Sequence, residues 1–116
     1  MYREIKIGDK EVPMLALASV DVYYKRIFRE DPLSIMTRKD TDDGTKSRIA
    51  FNMGFVMAKF AELHDRKKML QLTEDNYLEW LEQFDYGDYI AASADILALY
   101  YSQKAGSITE KNAVRP

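Results

Sequence analysis

The chain has 116 residues, 47% of them hydrophobic and 31% charged, the balance of a globular domain long enough to bury a core. It has no cysteine and a formal net charge of −2, which excludes disulfides and thiolate metal sites and gives no global attraction to nucleic acid or an anionic membrane. No apolar run approaches the ~18 residues of a membrane span, and the N-terminus lacks the apolar stretch of a signal peptide, so the expected location is the cytoplasm.

Tyr2 to Ile7 alternates, Gly8-Asp9-Lys10 punctuates, and Glu11 to Leu15 follows. This predicts a β-hairpin over about 2–15. Pro13 lacks an N–H and makes the second strand an edge. A lone hairpin is marginal in water, so it must dock on other elements.

From Ala18 the period becomes helical. Ser19 is the expected N-cap, and Val20, Tyr23, Tyr24, Ile27 and Phe28 form the apolar side. Asp31-Pro32 reads as an N-cap followed by proline at N1, opening a short helix through Leu33, Ile35 and Met36. Arg38 to Lys46 is a polar loop.

Residues 47–64 predict the central helix. Ile49, Met53, Val56, Phe60 and Leu63 share one face, and Ala50, Gly54, Ala58 and Ala61 form an adjacent stripe. Phe51 and Phe55 widen the apolar arc, leaving Arg48, Asn52, Lys59 and Glu62 on a narrow polar wedge. A helix apolar around most of its circumference is enclosed by its neighbours. Gly54 costs ~1 kcal/mol relative to alanine, and the expected return is close approach of another helix.

Asp65-Arg66-Lys67-Lys68 reads as a charged connection. Thr73 then caps a helix whose Tyr77, Trp80, Leu81 and Phe84 fall at i, i+3, i+4 and i+7. Asp85 to Asp88 breaks it. A last helix is expected from about Tyr89 to Lys104, with Ile90, Ala94, Leu97 and Tyr101 on its apolar stripe and Gly106 as its stop. Its Ala91, Ala92, Ala94 and Ala98 are the expected partners of the Gly54 stripe, and Trp80 and Gly54 should both be buried. The predicted fold is therefore mainly α (α+β), with four to five helices around a central buried helix and an N-terminal β-hairpin. One domain spans 1–106, and 107–116 forms a flexible C-terminal tail.

The chemistry-bearing residues form no constellation. Asp40-Thr41-Asp42-Asp43-Gly44 suggests a calcium loop, but neither register that can be tried supplies the closing glutamate. His64 is the single histidine. It has no thiolate to share zinc with and no nucleophile elbow to serve, and it suits a helix C-terminus. The five glycines are too scattered to cradle a phosphate. The basic clusters Lys25-Arg26-Arg29 and Arg66-Lys67-Lys68 read as solvated faces on an acidic chain. No catalytic residue, cofactor or metal is expected.

Eight tyrosines and five phenylalanines are more than one small core easily hides. Phe51, Phe55, Tyr100 and Tyr101 are the candidate partner-binding residues, although all four also suit core positions.

Three stretches carry a resemblance. Residues 17–31, with Tyr24, Lys25, Phe28 and Asp31 in a Tyr-basic-x-x-Phe-x-x-Asp pattern, resemble the opening of tail assembly chaperones of siphophages and prophages of Gram-positive bacteria. Phe55-Val56-Met57-Ala58-Lys59 is similar to a Tyr-Val-Met-Ala-Lys segment of that family. Glu79-Trp80-Leu81-Glu82-Gln83-Phe84-Asp85 is similar to its Glu-Trp-Leu-Asp-Gln-Phe stretch. The chain departs in having Arg29-Glu30 where the family often has Gly-Arg. The resemblance implies a non-enzymatic chaperone that binds the tape measure protein in the host cytoplasm and recruits tail tube protein. It leaves homo-oligomerisation open. It also implies a longer product made by −1 frameshifting, for which Glu110-Lys111-Asn112 is compatible with a slippery heptamer. The alternative is a small helical regulatory or nucleic-acid-binding protein of a mobile element.

Overall fold

The computed structural model describes the backbone of residues 1–114 and the side chains of residues 1–102. Strands β1 (Tyr2–Ile7) and β2 (Lys10–Leu15) pair antiparallel, with Ile5 opposite Val12 and Glu4 opposite Pro13. Alternation puts Ile5, Ile7, Val12 and Met14 on the buried face. The two-residue turn is Gly8-Asp9, and Gly8 has φ +64°, the glycine-first pattern of a tight hairpin turn. The turn also lies against α6, where a Cβ on Gly8 would come within 2.7 Å of Asp88 Oδ2 and the exposed Asp88 carboxylate would have to turn aside.

Among the described residues six helices follow: α1 (Val20–Phe28), α2 (Pro32–Met36), α3 (Asp43–Leu63), α4 (Arg66–Leu70), α5 (Glu74–Leu81) and α6 (Tyr86–Val114). Asp31 caps α2 as expected, accepting from the Leu33 and Ser34 N–H groups with Pro32 at N1. Thr73 and Asn76 form a reciprocal capping box on α5. Ser19 stands at the N-cap of α1 but makes no side-chain cap.

The helix count exceeds the predicted four to five because the charged connection after the central helix is itself helical. Asp65 accepts from the Lys68 N–H at 3.0 Å, and Met69 is fully buried beneath the turn. A cap and one apolar anchor suffice for a short helix held by tertiary packing. The central helix also starts earlier than its apolar pattern, at Asp43, where Asp42 accepts from the Thr45 N–H at 2.7 Å.

Helix α3 is the centre, with β2, α1 and α6 packed on it. Ile49, Met53, Val56 and Phe60 are buried together with Ala50, Gly54 and Ala58, while Leu63 and Ala61 are half-buried. Trp80 and Gly54 are buried. The neighbour across Gly54 is α6, but the alanines do not make that contact. Only Ala92 of the four is buried. The helix presents Tyr89, Ala92, Ile96, Leu99 and Tyr100 to the core and turns Ala91, Ala94 and Ala98 outward. The stripe Ile90–Ala94–Leu97–Tyr101 is accordingly the flank and not the centre of its buried face. Helix α6 is apolar on several sides, so its own periodicity does not fix its rotation, and the space at Gly54 takes Tyr89 and Ile96.

The range of α6 includes Gly106, the expected stop. A lone glycine costs a helix only ~1 kcal/mol. The side chains of 103–116, including Glu110, Lys111 and Asn112, lie outside the described residues. Among the described residues, no helix is long and apolar enough to cross a membrane.

Candidate binding surface

The feature least visible in the sequence is a line of hydrogen bonds through the helical layer. The Tyr77 hydroxyl on α5 donates to Asn52 Oδ1 on α3 at 2.5 Å. Asn52 Nδ2 donates to the Tyr24 hydroxyl on α1 at 3.2 Å. That hydroxyl donates to Glu30 Oε2 at 2.7 Å, and Arg48 donates to Glu30 Oε1 at 2.9 Å. Asn52 is only 5% exposed, so the polar wedge read from the sequence is wrong at this position. A buried amide is tolerable only when paired, and both ends of this one are. Burial first, and then the hydrogen bond to Glu30, push the Tyr24 pKa up, while burial pushes Tyr77 up to about 12.

The turn that aims Glu30 is strained. Arg29 closes α1 in the left-handed region with φ 59°, and its N–H bonds Lys25 C=O at 2.9 Å. This conformation usually falls to glycine. Here it brings the Glu30 carboxylate to the Tyr24 hydroxyl and the Arg48 guanidinium.

Aromatic rings pack around this line. Phe28 meets Tyr77 edge-on at 4.9 Å, Phe55 meets Tyr77 at 5.2 Å, and Phe55 meets Trp80 at 6.4 Å. Outside them a groove of about 390 Å³ opens, lined by Arg48, Phe51, Tyr77 and Tyr86 with Asp43 and Gly44 at the start of α3. Tyr86 is 71% exposed and tilts over Phe51 at 5.6 Å. A second groove, about 300 Å³, lies between β2 and α3 over Pro13, Ala58 and Ala61. Its charged residues Lys59 and Glu62 pair with each other at 2.9 Å.

The four candidate residues separate. Phe55 is fully buried, and Tyr100 is 1% exposed with its hydroxyl donating to Asp21 at 2.7 Å. Neither presents a surface to a partner. Phe55 lies on a helix enclosed on nearly every side and Tyr100 on one that is apolar on several sides, and in both cases core and patch residues look alike in sequence. Phe51 and Tyr101 are half-buried. They are not neighbours: Phe51 stacks near the start of α6 on Tyr89, and Tyr101 packs beside Tyr100 twelve residues further on, about 18 Å along a helix. Only Phe51 lies in the aromatic groove. Sequence reading missed Tyr77 and Tyr86 as its other walls. Tyr86 sits in the Asp85–Asp88 stretch read as a helix break, and its large exposed ring among acids was the available signal.

Among the described residues, no group of three or more histidine or carboxylate side chains could hold a metal ion, and every buried side-chain polar atom has a partner. What the surface offers is aromatic contact area backed by a rigid polar line, which suits binding. In comparisons with family models, curated proteins and solved structures, nothing matches this chain.

Proposed function

We propose that this chain is a non-enzymatic tail assembly chaperone of the siphophage type, holding the tape measure protein and bringing tail tube subunits to it in the host cytoplasm. The observation that supports the reading is where its three family-like stretches lie. They fall on α1, α3 and α5, and their aromatic residues Phe28, Phe55 and Trp80 belong to one cluster around Tyr77. Motifs separated in the chain thus serve a single packed unit, beside the aromatic groove at Phe51 and Tyr86. A binding module needs such a rigid base with exposed rings above it.

Co-expression with the long tape measure gene of the same locus tests this. Co-purification and solubilisation of the tape measure protein are expected. Failure of both, together with a salt-dependent mobility shift of duplex DNA, would replace this reading by the nucleic-acid-binding one.

A further inference from the structure

The groove at Phe51 does not end there. A neighbouring depression shares Tyr77 with it and adds Phe28 and Glu74, and another shares Phe51 and Tyr86 and adds Phe84 and Asp85. The three join into one trough running Phe28, Tyr77, Phe51, Tyr86, Phe84 across α1, α5, α3 and the start of α6. Its floor is fixed, because Tyr77 is held by Asn52 at 2.5 Å and Phe51 lies 4.1 Å from the buried Tyr89 ring. Its lip is Tyr86, a large ring held mainly by solvent.

The charge along the trough is mainly acidic. Asp43, Glu74 and Asp85 line its three parts and are exposed. Among the described residues no ion pair is formed by any of them. Two cations lie on the trough: Arg48, which Glu30 neutralises at 2.9 Å, and Lys10, which sits over the Phe84 ring at 5.2 Å and donates to Gln83 C=O, so the acidic stretch is the part from Glu74 past Phe51 to Tyr86. An aromatic floor edged by exposed carboxylates that form no ion pair repels acidic segments and complements a strip of large apolar side chains flanked by lysine or arginine.

We infer that this trough docks a basic amphipathic segment of a partner protein, its apolar side chains seated on Phe51, Tyr77 and Tyr86 and its cations on Asp43, Glu74 and Asp85. The inference rests on the reading of the chain as a protein-binding module and adds the site and chemistry of the segment it takes.

The test uses the full chain and two fluorescently labelled synthetic helical peptides, one with leucine and lysine at amphipathic spacing and one with glutamate for every lysine. The lysine peptide is expected to bind, more weakly as salt rises, and the glutamate peptide is not. Tyr86→Ser, at an exposed position, should weaken lysine-peptide binding roughly tenfold or more. The triple variant Asp43→Asn, Glu74→Gln, Asp85→Asn should do the same with its circular dichroism unchanged. Removing two charges from the hairpin by Glu4→Gln and Glu11→Gln should leave binding within about threefold, since exposed charges away from the contact contribute little. Equal binding of both peptides, no binding of the lysine peptide, or parental affinity in Tyr86→Ser would overturn the inference. Tape measure protein still co-purifying with a trough variant that has lost the peptide would remove the trough alone and leave the chaperone reading standing.

Discussion

Gly54 and Tyr89 occupy one space between them. A Cβ on Gly54 would overlap the Tyr89 hydroxyl and press Ile96 Cδ1 at 3.2 Å. That hydroxyl cannot swing aside, because it donates to Phe51 C=O at 2.8 Å and accepts from Trp80 Nε1 at 3.2 Å. Gly54→Ala should therefore lower stability by about 1–3 kcal/mol through overpacking, although alanine is the better helix former by ~1 kcal/mol. Adding Tyr89→Phe removes the obstructing oxygen and should recover part of the loss in urea unfolding. A Gly54→Ala protein more stable than its parent would show that α6 yields at this point.

Asn52 is the second close fit. Asn52→Leu leaves the Tyr77 hydroxyl without its acceptor and the Tyr24 hydroxyl without a donor, at about 1–3 kcal/mol for an unsatisfied buried group. In a Tyr77→Phe background one orphaned hydroxyl is already gone, so the same change should cost less. A double-mutant cycle reads the difference. Strict additivity would mean that the two side chains do not depend on each other.

Arg29 holds a glycine's conformation. Arg29→Gly should raise stability by about 1 kcal/mol by relieving the left-handed strain, with Glu30 still bonded to Tyr24. Thermal melts of the two proteins decide it, and a lower melting temperature for the variant would mean that Arg29 makes a compensating contact.

Phe60 closes the far end of the α3 face, 9% exposed and edge-on to Tyr23 at 5.4 Å. Truncation to alanine should cost about 3–5 kcal/mol, a large share of the roughly 5–15 kcal/mol available to a domain. Parental melting of Phe60→Ala would contradict the central place of this helix.

Stability should fall at both ends of the pH range. The Ser34 N–H at Asp31, with Lys25 beside it, and the Thr45 N–H at Asp42 hold these carboxyls below their ordinary value. The unfolded chain then takes up protons first, so the stability they contribute is present above about pH 4 and lost as pH falls through the lowered values. At the alkaline end the sign reverses. Burial raises Tyr77 to about 12, so its contribution is full below the ordinary tyrosine value of about 10 and lost as pH climbs from there. Denaturant midpoints against pH check both limbs. Asp31→Asn with Asp42→Asn should flatten the acid one, and Tyr77→Phe should make the alkaline one shallower.

Periodicity and capping made the hairpin, α1, α2, α3 and α5 legible, because each has one dominant apolar face or an unambiguous cap such as Asp31-Pro32 or Thr73. They failed where a segment offers several faces. Helix α6 could bury Ile90 and Leu97 or Tyr89 and Ile96 with similar apolar content, and only the cleft left by Gly54 selects the second set. Asn52 was misread for the complementary reason. A polar residue on a wedge looks solvated until two tyrosines from distant helices are seen to reach it. Of the trough, Phe51 alone was anticipated, since Tyr77 looked like core and Tyr86 like a break. Its continuity depends on side chains from four elements, a relation no local pattern carries.

The contact between β1 and α6 sets an order of events during synthesis. Gly8 sits under Asp88, and the Ser102 hydroxyl reaches the Met1 sulfur at 3.2 Å. The hairpin is synthesised well before one of its supports, because α6 follows it after five other elements of the fold. With chains growing at roughly 5–20 residues per second, Ile5, Ile7 and the Gly54 side of α3 stay uncovered for several seconds. Closure waits for α6 to emerge. The newborn chain therefore spends that interval with its own apolar surface exposed and cannot form the finished α3–α6 interface, so truncation anywhere before Tyr100 should leave a protein prone to aggregate.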